Sequence, residues 1–425
     1  MSDEQGGTEP DSFLPTLDPD DDLTDLFLDL LSFPTPNPPG DTTDVADYVA
    51  TFLDHADIPY EAITSDPTKP NIVATIEGDR DETLLFNGHL DTVPFDAEDW
   101  EYDPLGEQVD DRIYGRGATD MKGAVAAMLI VARSFARSDE LPPLDLQFAF
   151  VSDEEVPSDA GLATLLEESA IDVDACIIGE NTCMEDRHSV TVADRGSIWL
   201  TIHAQGESAH GSRPNLGANA IDRLYAAIDH LRTSLSNRPL KIDETIEPII
   251  DESVAFYAPL LGETEAQRLF RYPTVNLGTL EGGTAINTVP ESAIARVDIR
   301  LTATVDTATV LSDIRDCLAG HDHVSIVETS WSTGTFEDPN GPLVSAVAET
   351  AATVVEDRIY RRSATGGGDV KQLRNADIST VEFALGTDTA HAADEYLPRE
   401  ALLANAEIYA RVPFALARRF SETVA

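Results

Sequence analysis

The chain has 425 residues, 42% of them hydrophobic, with 78 Asp and Glu against 28 Lys and Arg, a formal net charge of −50. That length exceeds what one core usually organises, so two domains are expected, and the hydrophobic share excludes a disordered acidic chain. So few basic residues leave no patch for nucleic acid, and no apolar run is long enough to span a membrane.

The acids are spread through globular sequence, which predicts adaptation to high salt, where screening shortens self-repulsion. Three cysteines, Cys176, Cys183 and Cys317, form no spaced framework, so a reduced cytoplasm is expected. Residues 1–13 are acidic and polar; they are expected to be disordered and to be no signal peptide.

In chain order, residues 20–32 predict a helix with an acidic start, which "FPTPNPPGD" breaks. "TTDVADYVATFLDHA" predicts a second amphipathic helix. "NIVATI" and "TLLFNGHL" predict strands, and "MKGAVAAMLIVARSFAR" a helix rich in alanine and leucine. "LDLQFAFVSDEE" predicts a strand running into acids, "GLATLLEES" a helix, and "ACIIGEN" a strand ending in polar residues. Strands alternating with helices indicate an α/β fold with a mainly parallel sheet, whose ligands sit beyond strand carboxyl ends. His89, Asp91, Glu154, Glu155 and Glu180 all fall there.

The pattern changes near residue 190. "VTVADRGSIWLTIHAQG" alternates apolar and polar residues, as antiparallel strands do. Helix "NAIDRLYAAIDHLRTSL", strands "TVNLGTLEGG", "ESAIARVDIRLTA" and "HVSIVETSW", and helix "TVLSDIRDCLAG" complete a small α+β sandwich. Past residue 333 the α/β pattern returns, ending in a helix from Arg399 to Phe420. The expected domains are therefore 14–193 with 333–425, and an inserted domain over 194–332.

Each chemical motif is ordinary alone. His89 and Asp91 lie two apart, so on a strand they face one side, and such an Asp commonly fixes the ring of a metal-binding His. Asp120 precedes an apolar helix and suits either an N-cap or a metal-bridging carboxylate. The glycines before it lack a following G-K-[ST], which excludes a nucleotide loop. Glu154 and Glu155 adjoin each other, and metal-assisted hydrolysis needs one carboxylate on metal with a neighbour to take a proton from water. Glu180 and His391 complete the set. Two histidines and three or more carboxylates, with no thiolate, suit a pair of divalent ions: zinc, with cobalt or manganese as alternatives. The "HDH" at His321 and His323, and His55, His188, His203 and His230, have no carboxylate set and are given no role.

Taken in order, "GHLDTVP", "GRGATDMKGA", "SDEEVPS", "GENT", "SAHGSRPNLGANAI", "GGTAINTVPE", "DIR", "GGGD" and "AHAADE" resemble the M20 metallopeptidase family over residues 20–410. The resemblance implies a zinc-peptidase-like catalytic domain with an inserted lid or dimerisation domain, and a homodimer. It implies that His89, Asp120 and Glu180 bind one metal, and Asp120, Glu155 and His391 the other. Asp91 would orient His89 and Glu154 would be the general base, with a cis peptide after Asp120. His210 would reach the scissile carbonyl, Asn287 and Arg300 would contact substrate, and the Gly366–Gly367 backbone would lie near its carboxylate. Where many relatives have Thr before Asp369 and Arg two residues after it, this chain has Gly368 and Lys371; Arg374 is the alternative cation. The implied activity is removal of an acetyl or succinyl group from an amino acid, in the manner of acetylornithine deacetylase or succinyl-diaminopimelate desuccinylase. The alternative is a dipeptidase or carboxypeptidase of the same family, or a non-catalytic binding protein on that scaffold.

Overall fold

The computed structural model describes residues 22–156, 158–184 and 187–424, so the expectation for residues 1–13 lies outside the described residues. The chain forms two compact units. One comprises the described residues within Met1–Val192, Glu337–Arg361 and Gly368–Ala425; the other comprises Ala193–Phe336 and Arg362–Gly367.

The first unit is built on a mixed eight-stranded sheet. Its order is Tyr60–Ile63, Asn71–Ile76, Asp145–Val151, Thr83–His89, Ala175–Ile178, Ser379–Glu382, His188–Ala193 and Ile359–Ser363. The four strands from Asp145–Val151 to Ser379–Glu382 are mutually parallel. Antiparallel pairs flank them: Asn71–Ile76 on one side and His188–Ala193 on the other. The parallel strands are near-continuous apolar runs because helices cover both faces. Leu85, Val151, Cys176 and Ile178 pack with Leu162, Leu165, Val370 and Leu373 on one face. On the other, Phe86 stacks on Phe148 at 5.3 Å and meets Tyr409 of helix Arg399–Val424 at 5.5 Å.

Helix Gly123–Ala136 is buried on nearly every side, as its apolar circumference requires. It lies close over two strand ends because Gly88 and Gly179 carry no side chain. A Cβ at Gly179 would stand 2.7 Å from Ala124 Cβ, and one at Gly88 3.0 Å from Val125 Cγ2. A three-stranded sheet of Tyr396–Pro398, Arg112–Tyr114 and Glu107–Val109 completes this unit. The sequence reading did not predict it, since three-residue strands carry no period.

The second unit has a four-stranded antiparallel sheet ordered Thr274–Gly282, Ser292–Leu301, Gly196–Gln205 and Val324–Ser332. Ile198, Leu200, Ile202 and Ala204 face helices Ala220–Ser236 and Thr307–Ala319. Those are the expected strands and helices. Two further helices, Glu247–Leu261 and Glu263–Arg271, were not predicted. No element is read in this segment from the sequence; Pro248 occupies the first turn of Glu247–Leu261, where no N–H is needed. Among the described residues no helix is long and apolar enough to cross a membrane.

Candidate metal centre

Strand Thr83–His89 delivers His89 at its carboxyl end, fully buried. His89 Nδ1 lies 3.0 Å from the carbonyl oxygen of Asp91 and 3.3 Å from its Oδ1. The ring therefore presents Nε2 outward, 3.1 Å from Asp120 Oδ1 and 3.4 Å from Glu180 Oε1. Asp120 lies in a wide turn, Ala118–Lys122, that enters helix Gly123–Ala136. Its peptide to Met121 is cis, as the resemblance implied. Its other oxygen, Oδ2, is 3.1 Å from His391 Nε2, and His391 is 3.3 Å from Glu155 Oε2.

Two triads result, His89–Asp120–Glu180 and Asp120–Glu155–His391, with the ligand atoms of each within 4.8 Å of one another. They share Asp120 and draw on a different oxygen for each. Glu155 Oε1 is buried without a hydrogen-bond partner. An orphaned buried carboxylate oxygen beside imidazole nitrogen is the environment a divalent cation satisfies. The donors are nitrogen and oxygen only, which fits zinc, cobalt or manganese in a pair of ions and excludes a structural thiolate site.

The electrostatics match. Burial disfavours a charged His89, but Asp120, Asp91 and Glu180 outweigh it and raise its pKa well above the usual imidazole value. Asp120 and Glu155 raise that of His391 to about 10. Burial, then Asp120, pushes Glu180 up to about 7. Asp120 is held below the usual range by His391 and His89, against its burial. Acids crowded this closely are the signature of a site shaped for cations.

Glu154 stands beside the triads. Its backbone N–H donates to Asp91 at 3.1 Å, and that of Glu155 donates to the same carboxylate at 3.1 Å, so Asp91 ties the His89 ring to the Glu154–Glu155 turn. Burial, then Glu180, raises the Glu154 pKa well above the ordinary carboxylate range. Gly368 makes room for it, since a Cβ there would stand 2.6 Å from Glu154 Oε1.

Several supporting residues escaped the sequence reading. Glu395 accepts the backbone N–H groups of Gly117, Thr119 and Asp120 and is paired with Arg116 at 2.6 Å. Arg116 also donates to the His391 carbonyl at 3.3 Å. Asn37, in the loop read only as a helix breaker, donates from Nδ2 to both Asp91 and Asp153. Lys69 meets Asp153 at 2.9 Å. A signal existed: in so acidic a chain Arg116 and Lys69 are rare cations, though only the structure identifies their carboxylate partners.

His210, Asn287, Arg300, Gly366 and Gly367 lie in the second unit. His210 is exposed, with Nδ1 2.8 Å from Ser212 Oγ. The Gly211 N–H donates to the Asn287 carbonyl at 2.6 Å, so those two segments adjoin. Arg300 donates from Nε to Asp298 at 2.9 Å beside Trp199. Arg195 N–H donates to the Gly366 carbonyl, and Gly367 follows. Arg374, the alternative cation for a substrate carboxylate, is buried in the first unit and donates to the Thr380 and Thr191 carbonyls. It supports the sheet.

The sequence model of Peptidase family M20/M25/M40 matches residues 85–414. A probable succinyl-diaminopimelate desuccinylase of Staphylococcus epidermidis is 26% identical over 399 residues, covering 90% of this chain and 95% of its own. Among solved structures, an M20 family metallo-carboxypeptidase from Sulfolobus solfataricus superposes with a TM-score of 0.75 at 21% identity, over 93% of this chain and all of that one. A dinuclear metal-binding peptidase of the M20 family from Bacillus subtilis gives 0.63 at 17% identity, over 96% and 99%. With its paired triads and a family match across most of its length, the chain belongs to peptidase family M20/M25/M40 and is a metal-dependent hydrolase of amide bonds.

Proposed function

We propose that the chain removes an N-acyl group, acetyl or succinyl, from an amino acid, with zinc as the native metal. The observation that carries the hydrolytic half is the shared Asp120, whose two oxygens each lie 3.1 Å from a different histidine. The acyl amino-acid half draws on the name of the Staphylococcus epidermidis relative.

Cations held by His89, Asp120 and Glu180, and by Asp120, Glu155 and His391, supply when bound the Lewis acidity that polarises an amide carbonyl and acidifies water. The protein's own groups do the rest. Asp91 accepts from His89 Nδ1 and fixes which ring nitrogen faces Asp120. Glu154 takes a proton from the attacking water at its carboxylate and returns it to the leaving amine. Its burial, then Glu180, raises its proton affinity, which favours the first of these transfers. By the resemblance, His210 stabilises the oxyanion, Asn287 and Arg300 contact substrate, and Gly366 and Gly367 offer backbone to its carboxylate. The same resemblance assigns a homodimer. Three free cysteines support a reduced cytoplasm, and the net charge of −50 supports a saline one.

A second reading, a dipeptidase or carboxypeptidase, rests on the carboxypeptidase among the structural neighbours. Turnover of N-acetyl and N-succinyl amino acids against dipeptides, in molar salt with added zinc, separates the two. The proposal expects the acyl amino acids to have the higher kcat/KM; faster release of two free amino acids from dipeptides supports the second reading and overturns the first.

A further inference from the structure

Two neighbouring parallel strands of the first unit, Thr83–His89 and Asp145–Val151, each carry a buried aspartate just past the carboxyl end, Asp91 and Asp153. Like charges taken out of water repel, and each needs donors. One side chain serves both. Asn37 Nδ2 donates to Asp91 Oδ2 at 2.8 Å and to Asp153 Oδ1, so both hydrogens of the amide are used. Ionised carboxylates only accept, so the opposite placement of the amide, with its oxygen toward both, is excluded. Lys69 Nζ meets the same Asp153 oxygen at 2.9 Å, and Asp153 Oδ2 is buried without a partner.

The link leads to the paired triads from two sides. With Oδ2 of Asp91 engaged by Asn37, Oδ1 is turned to His89 Nδ1 at 3.3 Å. Asp153 is followed by Glu154 and Glu155, whose N–H groups return to Asp91. The amide therefore ties the strand end that carries His89 to the strand end that carries the Glu154–Glu155 turn. Residues 35–40, "TPNPPG", hold that amide in place. The Asn37 N–H donates to the Thr92 carbonyl at 2.8 Å, and Thr92 N–H donates to the Thr35 carbonyl at 2.9 Å. Thr35 Oγ1 donates to the Leu90 carbonyl at 2.8 Å. Gly40, at φ +74°, packs against the amide, and a Cβ there would stand 2.7 Å from Asn37 Cγ. Glutamine is too long for this space, and a hydroxyl side chain has one hydrogen where two are needed.

We propose that Asn37 is a positioning residue for hydrolysis: by donating to Asp91 and Asp153 at once, it sets the His89 ring against the Glu154–Glu155 turn. The inference rests on the assignment of the paired triads. It gives a role in the chemistry to a loop that the sequence marks only as the end of a helix.

Two variants of the full-length protein test it. Asn37→Ala removes both hydrogens and adds no charge. Its zinc affinity, read by competition with a chromophoric chelator and so without any substrate, should fall about 10- to 100-fold. Asn37→Asp keeps the shape of the side chain and loses the donating amide. With zinc saturating and two ions bound, its kcat should fall about tenfold or more, with KM within about twofold of the parent. A side chain that only fills space predicts parental kcat in Asn37→Asp, and that result overturns the proposal. So does an Asn37→Ala protein that melts at a lower temperature yet binds zinc as the parent does. A parent that holds no pair of zinc ions overturns the proposal together with the triads, whereas Asn37→Ala matching a two-zinc parent overturns it alone.

Discussion

Glu395 Oε1 accepts the backbone N–H of Asp120 at 3.1 Å, so a residue four places after His391 holds the residue that both triads share. The same oxygen accepts from Thr119 at 2.9 Å, and the other accepts from Gly117 and Arg116. All four donors require an acceptor on both oxygens. Glu395→Gln puts an amide N–H against one pair of them. Metal affinity should fall about 10- to 100-fold, the usual cost of losing an outer support of a ligand. Glu395→Ala also strands the buried Arg116 charge, at a cost of about 3–5 kcal/mol in stability. Isothermal titration with zinc and thermal unfolding check the two variants; unchanged zinc affinity in Glu395→Gln would remove the holding role.

Glu154→Gln separates chemistry from metal binding. The variant keeps the shape and both triads, so metal content should match the parent. Turnover should drop about 10²–10⁴-fold if Glu154 is the proton carrier. Near-normal kcat with full metal would remove the assignment.

Gly368→Ala tests whether the room beside Glu154 matters. The added Cβ would meet Glu154 Oε1 at 2.6 Å, so the carboxylate must move. A shift on the order of an ångström should lower kcat by about 10- to 100-fold with metal content unchanged. Parent-like kcat would show that Glu154 tolerates displacement.

Metal uptake should release protons. His89 and His391 both have raised pKa values, that of His391 about 10, so each carries a proton near neutrality before a cation arrives. Ligation needs the neutral rings and an ionised Glu180, whose pKa is about 7, so binding two ions at pH 7 should expel roughly two to three protons. Apparent affinity should weaken as pH falls and level off for the His391 triad above about 10. Titration in weakly buffered solution with an indicator dye measures this, and uptake without proton release would contradict the assigned donors.

The sequence made the chemical positions legible because parallel strands end where ligands bind. His89, Glu154, Glu155 and Glu180 followed short, near-continuous apolar runs that alternate with helical segments, the mark of buried parallel strands. Asp120 was open between an N-cap and a bridge, and only the pairing of its two oxygens with His89 and His391 decides between them. Glu395, Arg116 and Asn37 act through backbone N–H groups or second-layer contacts far away in sequence. No local period encodes such contacts. The helix Glu247–Leu261 holds Pro248 and Pro259, and a proline's effect on a helix depends on its position within the turn, which the sequence alone does not give.

The central claim is that Asp120 bridges two cations. Metal analysis of Asp120→Ala beside the parent protein tests it most directly. The account predicts two ions per chain in the parent protein, essentially none in the Asp120→Ala variant, and loss of turnover with them. Two retained ions with turnover intact would contradict it.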